Sequence, residues 1–134
     1  MKTRKLRNLE VSAIGYDCMG LSHGYGSVPE RADSIWLIRQ AYDWGCTFFD
    51  TAEVYGDGEN EILVGEALKP IRDKIVLATK FRFDRTEQTS TREGLLKEIQ
   101  SHVNASLKRL GTDHIDLYYQ HRVNKDIPVE DIAW

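Results

Sequence analysis

The chain has 134 residues, of which 41% are hydrophobic and 29% charged, which is typical of one folded domain, here residues 1–134. The formal charge of −3 is spread over segments of mixed sign, which excludes a basic face for nucleic acid. The positive start lacks an apolar signal region behind it, and no apolar run approaches the roughly 20 residues that span a bilayer. We therefore expect a cytoplasmic protein with no membrane partner.

The first part of the chain predicts a hairpin, a strand, a helix and a second strand. Residues 5–12 alternate around a polar turn, which is typical of a small hairpin, and residues 13–19 predict a short strand. Apolar residues then recur at three- and four-residue steps over 31–44, and Gly45 stands where a helix C-cap is expected. Residues 46–50 form a brief apolar run, as expected for a parallel strand buried on both faces.

The second part repeats the alternation of helix and strand. Its predicted elements are a helix over 60–68, a strand over 75–80, a helix over 90–110, a strand over 115–120 and a helix from about Ile127. Pro70 is expected to stop the first of these helices. Ser90 and Glu93 form a capping box for the longest helix, and Gly111 closes it. Pro128 suits the first turn of the last helix.

Strands and helices alternate with a period of about 30 to 40 residues, which predicts parallel βα units with right-handed crossovers. No G-x-G-x-x-G sequence follows a predicted strand, so a doubly wound dinucleotide-binding fold is disfavoured. Four βα units make half of a (β/α)8 TIM barrel, for which about 250 residues is typical. The expected fold is therefore α/β, with an N-terminal hairpin and the first four βα units of such a barrel, and we expect the chain to be truncated.

Polar side chains end three successive predicted strands, where a barrel has its catalytic mouth. Asp50 ends the second strand, Lys80 the third and His121 the fourth, while Tyr55 follows in the loop after Asp50. Each residue alone has an ordinary explanation. Asp50 could cap the next loop and Tyr55 could be a loop aromatic. Lys80 could point outward into solvent, and His121 could be a buried, hydrogen-bonded histidine. Together they favour a paired functional cluster, because buried charges are costly unless they are paired.

The segments around these residues resemble the aldo-keto reductase family, in the family's own order. The similar segments are residues 18–22, 49–56, 60–68, 78–80 and 115–122. The resemblance covers essentially the whole chain. It implies the (β/α)8 barrel of that family, with the hairpin closing the bottom of the barrel.

The resemblance also implies the chemistry, which is hydride transfer from NADPH to an aldehyde or ketone. Tyr55 would be the general acid. A free phenol has a pKa of about 10, and the ammonium of Lys80 would lower it. Asp50 would keep Lys80 charged and oriented, and His121 would donate a hydrogen bond to the carbonyl oxygen.

The same resemblance implies Met19, Gly20 and Asp50 as cofactor-binding residues. By position alone, His23 and Tyr25 in the loop after the first strand of the sheet could face a small carbonyl substrate or be solvated loop residues. Arg122, directly after His121, could reach that substrate or form only a surface pair. No metal site is expected, because Glu53 and residues 57–59 have no histidine or further carboxylate at ligand spacing and are predicted to be solvated loop residues. Cys18 and Cys46 are expected to be reduced core residues.

The expected preference for NADPH over NADH is implied by the family resemblance alone.

Other interpretations stay open. Lys80 at a barrel strand end could form a Schiff base, as in class I aldolases, with Asp50 and Tyr55 as proton shuttles. Some proteins similar to this family are cofactor-holding regulatory subunits, and an inactive fragment is also compatible with the length. Half a barrel exposes strand edges, so self-association or a C-terminal half is expected to complete it.

Overall fold

The computed structural model describes residues 1–22, 27–82 and 91–132, which form a hairpin and a parallel sheet with helices. The antiparallel hairpin strands are β1 (Thr3–Leu6) and β2 (Leu9–Ser12). The sheet strands, in both chain and spatial order, are β3 (Tyr16–Asp17), β4 (Phe48–Asp50), β5 (Val76–Phe81) and β6 (Leu117–Gln120). All three strand pairs of this sheet are parallel, which confirms the predicted βα units.

One helix follows each strand of the sheet. The helices are α1 (Arg31–Asp43), α2 (Glu59–Leu68), α3 (Arg92–Leu110) and α4 (Val129–Ile132). Gly45 has a φ of 91° just after α1, and Gly111 has a φ of 62° just after α3, so both predicted C-terminal glycines are confirmed. Within the described ranges, no helix is long and apolar enough to cross a membrane.

The first predicted strand of the sheet is longer than the observed one. The strand expected over residues 13–19 is only Tyr16–Asp17, because a short 3-10 turn, Met19–Leu21, already begins at its end. The helix predicted over 60–68 is confirmed, because α2 ends at Leu68, just before Pro70. Pro70 belongs to the segment that follows. It lies in the first turn of a 3-10 segment, Lys69–Lys74, where its missing N–H group leaves no hydrogen bond unmade.

The start of α3 also differs from the prediction. The N-cap is Thr91, whose hydroxyl accepts a hydrogen bond from the Gly94 amide at 3.1 Å. Ser90 lies outside the described residues. Glu93, expected to complete the capping box, pairs with Lys97 on the exposed helix surface at 2.8 Å.

The hairpin is attached at the end of the sheet where the strands begin. Ser12, at the end of β2, and Thr47, just before β4, form two reciprocal bonds. The Ser12 amide donates to the Thr47 hydroxyl at 3.0 Å, and the Thr47 amide donates to the Ser12 hydroxyl at 2.9 Å. The hairpin therefore lies at the end of the sheet opposite to the carboxyl ends of the strands.

The main core lies between one face of the sheet and the helices α1 and α2. Its fully or almost fully buried side chains include Ile38, Phe49, Val64, Leu68 and Leu77. Each such side chain contributes roughly 1.5–3 kcal/mol through burial. The two cysteines are buried in this core and carry free thiols, as predicted.

Helices α2 and α3 pack unusually closely at Gly65. A Cβ atom at this position would lie 2.2 Å from the main-chain oxygen of Leu110, so only glycine fits without moving a helix. This close approach brings the end of α3 against the buried side of α2. It sets the position of Arg109, which pairs with a buried carboxylate described below.

Candidate active site

The strand register brings the predicted strand-end residues to one edge and one face of the sheet. Asp50 pairs with Ala78 of β5, so Lys80 lies two residues beyond it, and Lys80 pairs with Tyr119 of β6, so His121 lies two residues beyond that. Side chains alternate between the two faces of a strand, so steps of two residues keep all three on the same face. They meet on the face that is not covered by α1 and α2.

Lys80 is the centre of the cluster. Its ammonium group forms an ion pair with the Asp50 carboxylate and donates a hydrogen bond to the Thr51 carbonyl oxygen at 2.8 Å. Burial lowers the pKa of Lys80, but the hydrogen bond and charge of Asp50, with a further contribution from Tyr55, outweigh burial and raise the pKa above its ordinary value. Lys80 is therefore a cation at neutral pH.

For Asp50, burial has a larger effect on the pKa than the attraction of its charged partner does. Burial raises the pKa of its carboxyl group, and the hydrogen bond and charge of Lys80 oppose that rise without cancelling it. The side chains of Asp50 and Lys80 are 24% and 17% exposed, so water screens their attraction only partly. Asp50 and Lys80 therefore form a partly buried ion pair, not a surface one.

Tyr55 is buried and lies over the ammonium group of Lys80. Its hydroxyl is 3.5 Å from Lys80 Nζ, and its ring centre is 5.1 Å from the same atom. The chain turns sharply just after it, because Gly56 and Asp57 both have a φ of 55° and Gly58 has a φ of 90°. This left-handed turn leads from Tyr55 directly into α2.

His121 completes the cluster from the end of β6. Its ring is almost perpendicular to that of Tyr55, with the ring centres 5.6 Å apart. Burial lowers the pKa of His121, and the positive charges of Lys80 and Arg122 lower it further. Its Nδ1 atom is buried and has no hydrogen-bond partner among the described residues. The imidazole is therefore neutral at pH 7.

Two cavities meet at His121. One, of about 280 Å³, is lined by Met19, Val54, Tyr55, Arg82, His121 and Arg122. The other, of about 400 Å³, is lined by Phe48, Asp50, Lys80, Tyr119, Gln120 and His121. Met19 and Arg122 thus line the same cavity as Tyr55. Gly20 follows Met19 with open space where a side chain would be, whereas His23 and Tyr25 lie outside the described residues.

Glu53 is not a solvated loop residue, so that prediction is wrong. Its side chain is only 11% exposed. One carboxylate oxygen accepts a hydrogen bond from the Arg82 amide at 2.7 Å, and the other lies 2.7 Å from the Nδ1 atom of His102. Glu53 thereby joins the loop after β4 to the end of β5 and to His102 on α3.

Asn60 is a further residue that sequence reasoning missed. It is fully buried, and its amide nitrogen donates to the Cys18 carbonyl at 2.8 Å and to the Ser22 hydroxyl at 2.6 Å. Its amide oxygen accepts from the Thr51 hydroxyl at 2.6 Å. Since the Thr51 carbonyl in turn accepts from Lys80, one amide connects the loop after β3 to the catalytic lysine candidate. Only its place in the family-like segment 60–68 could have indicated this.

Glu61 supports the site from the opposite face of β5. Its carboxylate is fully buried, accepts a hydrogen bond from the Thr79 hydroxyl at 2.6 Å and pairs with Arg109 at 2.6 Å. Thr79 precedes Lys80, so this contact fixes the strand directly behind the lysine. Because the carboxylate is both paired and hydrogen-bonded, its burial is tolerated.

The fold and the site together define an α/β protein of the (β/α)8 class with a charged cluster at its strand ends. The model of the Aldo/keto reductase family matches residues 13–133. A probable aldo-keto reductase 1 from Glycine max is 45% identical over 127 residues, which cover 93% of this chain and 37% of that protein. The chain belongs to the aldo-keto reductase family.

Solved structures agree with this assignment. An aldo-keto reductase from Bacillus halodurans in its holo form has a TM-score of 0.78 and 35% identity, covering 98% of this chain and 43% of that one. A thermostable aldo-keto reductase solved with the inhibitor epalrestat has a TM-score of 0.77, 30% identity and coverages of 98% and 46%. An aldo-keto reductase from Klebsiella pneumoniae, solved with NADP and acetate, has a TM-score of 0.72, 32% identity and coverages of 91% and 39%.

The chain therefore spans less than half the length of each of these relatives. Its hairpin and parallel βα units correspond to the N-terminal portion of their (β/α)8 barrels, so the expected fold class is confirmed. Among the described residues, no three histidine, cysteine, aspartate or glutamate side chains come together as a metal site would require.

Proposed function

We propose that this chain supplies the catalytic residues of an NADPH-dependent reductase that converts an aldehyde or ketone to an alcohol. The observation that carries the proposal is the cluster of Asp50, Tyr55, Lys80 and His121 at one edge of the sheet. Membership of the aldo-keto reductase family supports oxidoreductase chemistry on carbonyl compounds.

Tyr55 is the general acid in this proposal. Reduction of a carbonyl leaves negative charge on its oxygen, and the phenol delivers the proton that neutralises it. As the proton leaves, negative charge develops on the phenol oxygen, 3.5 Å from the ammonium of Lys80. Asp50 holds that ammonium in place and keeps it charged, so the stabilising charge is present before the reaction begins.

His121 positions the carbonyl. A neutral imidazole keeps one N–H group, which donates a hydrogen bond to the carbonyl oxygen, and the lowered pKa of His121 maintains that neutral form at pH 7. The ring stands at the junction of the two cavities, so the same side chain contacts both the substrate side and the side of Asp50 and Lys80.

The residues present fit the nicotinamide end of a cofactor. Met19 and the open surface at Gly20 lie on one side of His121, and Asp50 lines the larger cavity on the other. NADPH, when bound there, supplies the hydride. The relative from Klebsiella pneumoniae, solved with NADP, supports this choice of cofactor.

The Schiff-base alternative is disfavoured by the same geometry. A lysine that attacks a carbonyl carbon must first lose its proton. Asp50 raises the pKa of Lys80 instead, and the Thr51 carbonyl accepts a second hydrogen bond from the ammonium. Lys80 is thus held as a cation, which suits an electrostatic role and not a nucleophilic one.

The experiment that tests the proposal compares Tyr55→Phe with the unchanged protein, using the full natural polypeptide that contains this sequence. NADPH consumption is followed with a panel of small aldehydes and ketones, and NADPH affinity is measured by fluorescence titration. Loss of the acid should reduce turnover by about 10²–10⁴-fold and leave NADPH affinity nearly the same. Retention of most of the turnover by Tyr55→Phe would refute the role of the phenol.

We also propose that these 134 residues by themselves need a partner to complete the barrel. Strands β3 and β6 are the two edges of the sheet, and large side chains such as Tyr119, 39% exposed, lie on its uncovered face. Open parallel edges favour pairing with another chain. Sedimentation of this polypeptide should show a dimer or larger species with little NADPH turnover. A stable monomer with full activity would overturn the idea.

A further inference from the structure

The smaller cavity contains two arginines that the proposed proton transfer does not use. Its titratable lining side chains are Tyr55, Arg82, His121 and Arg122. No carboxylate is among the described residues that line it. The cavity beside the proposed general acid therefore carries two positive charges, although the chain as a whole has a formal charge of −3.

The strand register brings Arg82 and His121 to the same cavity, and Arg122 lines it from the position directly after His121. Phe81 pairs with Gln120 across β5 and β6, so the next residues, Arg82 and His121, leave the sheet side by side, and Arg122 follows directly. The backbone at these positions is fixed by hydrogen bonds. Glu53 accepts from the Arg82 amide at 2.7 Å, and the Phe81 carbonyl accepts from the His121 amide at 2.8 Å.

The nearby carboxylates are already engaged elsewhere. Asp50 is paired with Lys80, and Glu53 uses its second oxygen for His102. Within the part of the chain that the structure describes, neither Arg82 nor Arg122 forms an ion pair through its side chain, and both residues are exposed. Their charges are available to a ligand in the cavity.

We propose that the carbonyl substrate also carries a carboxylate, which Arg82 and Arg122 bind while the carbonyl lies at Tyr55 and His121. This inference rests on the proposed reductase function and specifies its substrate class. A guanidinium group matches a carboxylate with two parallel hydrogen bonds, and two such groups on adjacent strand ends fix both position and orientation. The cavity of about 280 Å³ lies just below the usual range of about 300–1,000 Å³, which suits a small compound.

The test uses a matched pair of substrates with the full natural polypeptide and saturating NADPH. One substrate is 4-carboxybenzaldehyde and the other is its methyl ester, which has the same aldehyde and ring but no charge. The measured quantity is the ratio of kcat/KM for the acid to that for the ester. Hydrogen bonds to a charged group contribute about 1.5–3 kcal/mol, so the ratio should be about 10-fold or more in the unchanged protein.

Arginine variants then locate the source of this preference. Arg82→Gln and Arg122→Gln should each lower the acid-to-ester ratio, and the double variant should bring it close to one. Arg122→Lys should recover part of the ratio, because it restores the charge without the planar fork. Arg4→Gln, which removes an exposed arginine from the hairpin, is the matched control and should leave the ratio unchanged.

The NADPH dissociation constant of the double variant separates two sources of anionic charge. It should match that of the unchanged protein if the arginines bind a substrate carboxylate. An affinity for NADPH that falls together with the acid preference would assign the arginines to the cofactor phosphates and overturn the inference.

The remaining outcomes separate this inference from the function on which it rests. Equal efficiency with acid and ester in the unchanged protein would overturn the substrate class but leave the reductase function supported. If the unchanged protein consumed no NADPH with either aldehyde or with the wider carbonyl panel, the reductase function would fail, and this inference with it.

Discussion

The two faces of the sheet are built from alternate residues of the same strands and have opposite properties. Phe49 and Leu77 point to the helices and are almost completely buried in the apolar core. Their neighbours along the strands, Phe48 and Asp50 on β4 and Lys80 on β5, line a cavity. A single run of residues therefore supplies stability on one face and chemistry on the other, and mutations on the two faces should have separable effects.

The largest expected effect is on the chemical face. Lys80→Met should reduce kcat/KM for carbonyl reduction about as much as Tyr55→Phe, by about 10²–10⁴-fold, because the ammonium stabilises the charge that develops on the phenol. The double variant should be little worse than either single one, since the two residues act as a unit.

Steady-state kinetics on the three variants measure this coupling. Lys125→Met, which removes an exposed lysine beyond β6, is the control and should retain full activity. If the losses from Lys80→Met and Tyr55→Phe simply multiplied, the two residues would act independently and the proposed unit would be wrong.

A smaller effect, of a different kind, is expected on the apolar face. Leu77→Ala should lower the free energy of unfolding by about 2–5 kcal/mol, because the buried leucine leaves a cavity between the sheet and its helices. Urea denaturation measures this change, with Leu37→Ala on the partly exposed side of α1 as the control, for which less than about 1 kcal/mol is expected. The folded Leu77→Ala protein should keep its kcat. A loss of kcat without a loss of stability would show that the two faces are not separable.

The smallest expected effect concerns the pH dependence of stability. Burial first, and then the charges of Lys80 and Arg122, lower the pKa of His121 in the folded protein. As the pH falls, the unfolded state therefore takes up this proton before the folded state does. The stability associated with neutral His121 is complete above the ordinary histidine pKa of about 6.5 and is lost as the pH falls through the lower folded-state value.

Unfolding experiments from about pH 7 to about pH 5 check the sign of this effect. The free energy of unfolding should decrease with acidification more in the unchanged protein than in His121→Gln, which cannot take up the proton. Parallel curves for the two proteins would show that His121 has no such linkage.

The sequence was informative where local pattern determines structure. Parallel strands end at one edge of a sheet, so the positions of Asp50, Lys80 and His121 predicted that these side chains would lie near one another. The sequence was less informative where a contact depends on how separate loops and helices approach. Glu53 and His102 are far apart in the chain, and nothing in either local pattern indicates that they meet.

Asn60 illustrates the same limit within the site. A polar residue at the start of α2 is ordinarily explained as a solvent-exposed first-turn residue. Its burial follows from the close approach of the loops that contain Cys18 and Thr51, which only the assembled sheet brings about.

The amide of Asn60 has a consequence for exchanging loops between related proteins. Loops at the carboxyl ends of barrel strands are the segments commonly varied to change specificity. Here residues 18–22 and residues 51–60 share the buried side chain of Asn60, so replacing the first segment with one that lacks the Ser22 hydroxyl would remove a side-chain acceptor of that amide. Residues 18–22 and 51–60 should therefore be exchanged together when loops are swapped between related proteins.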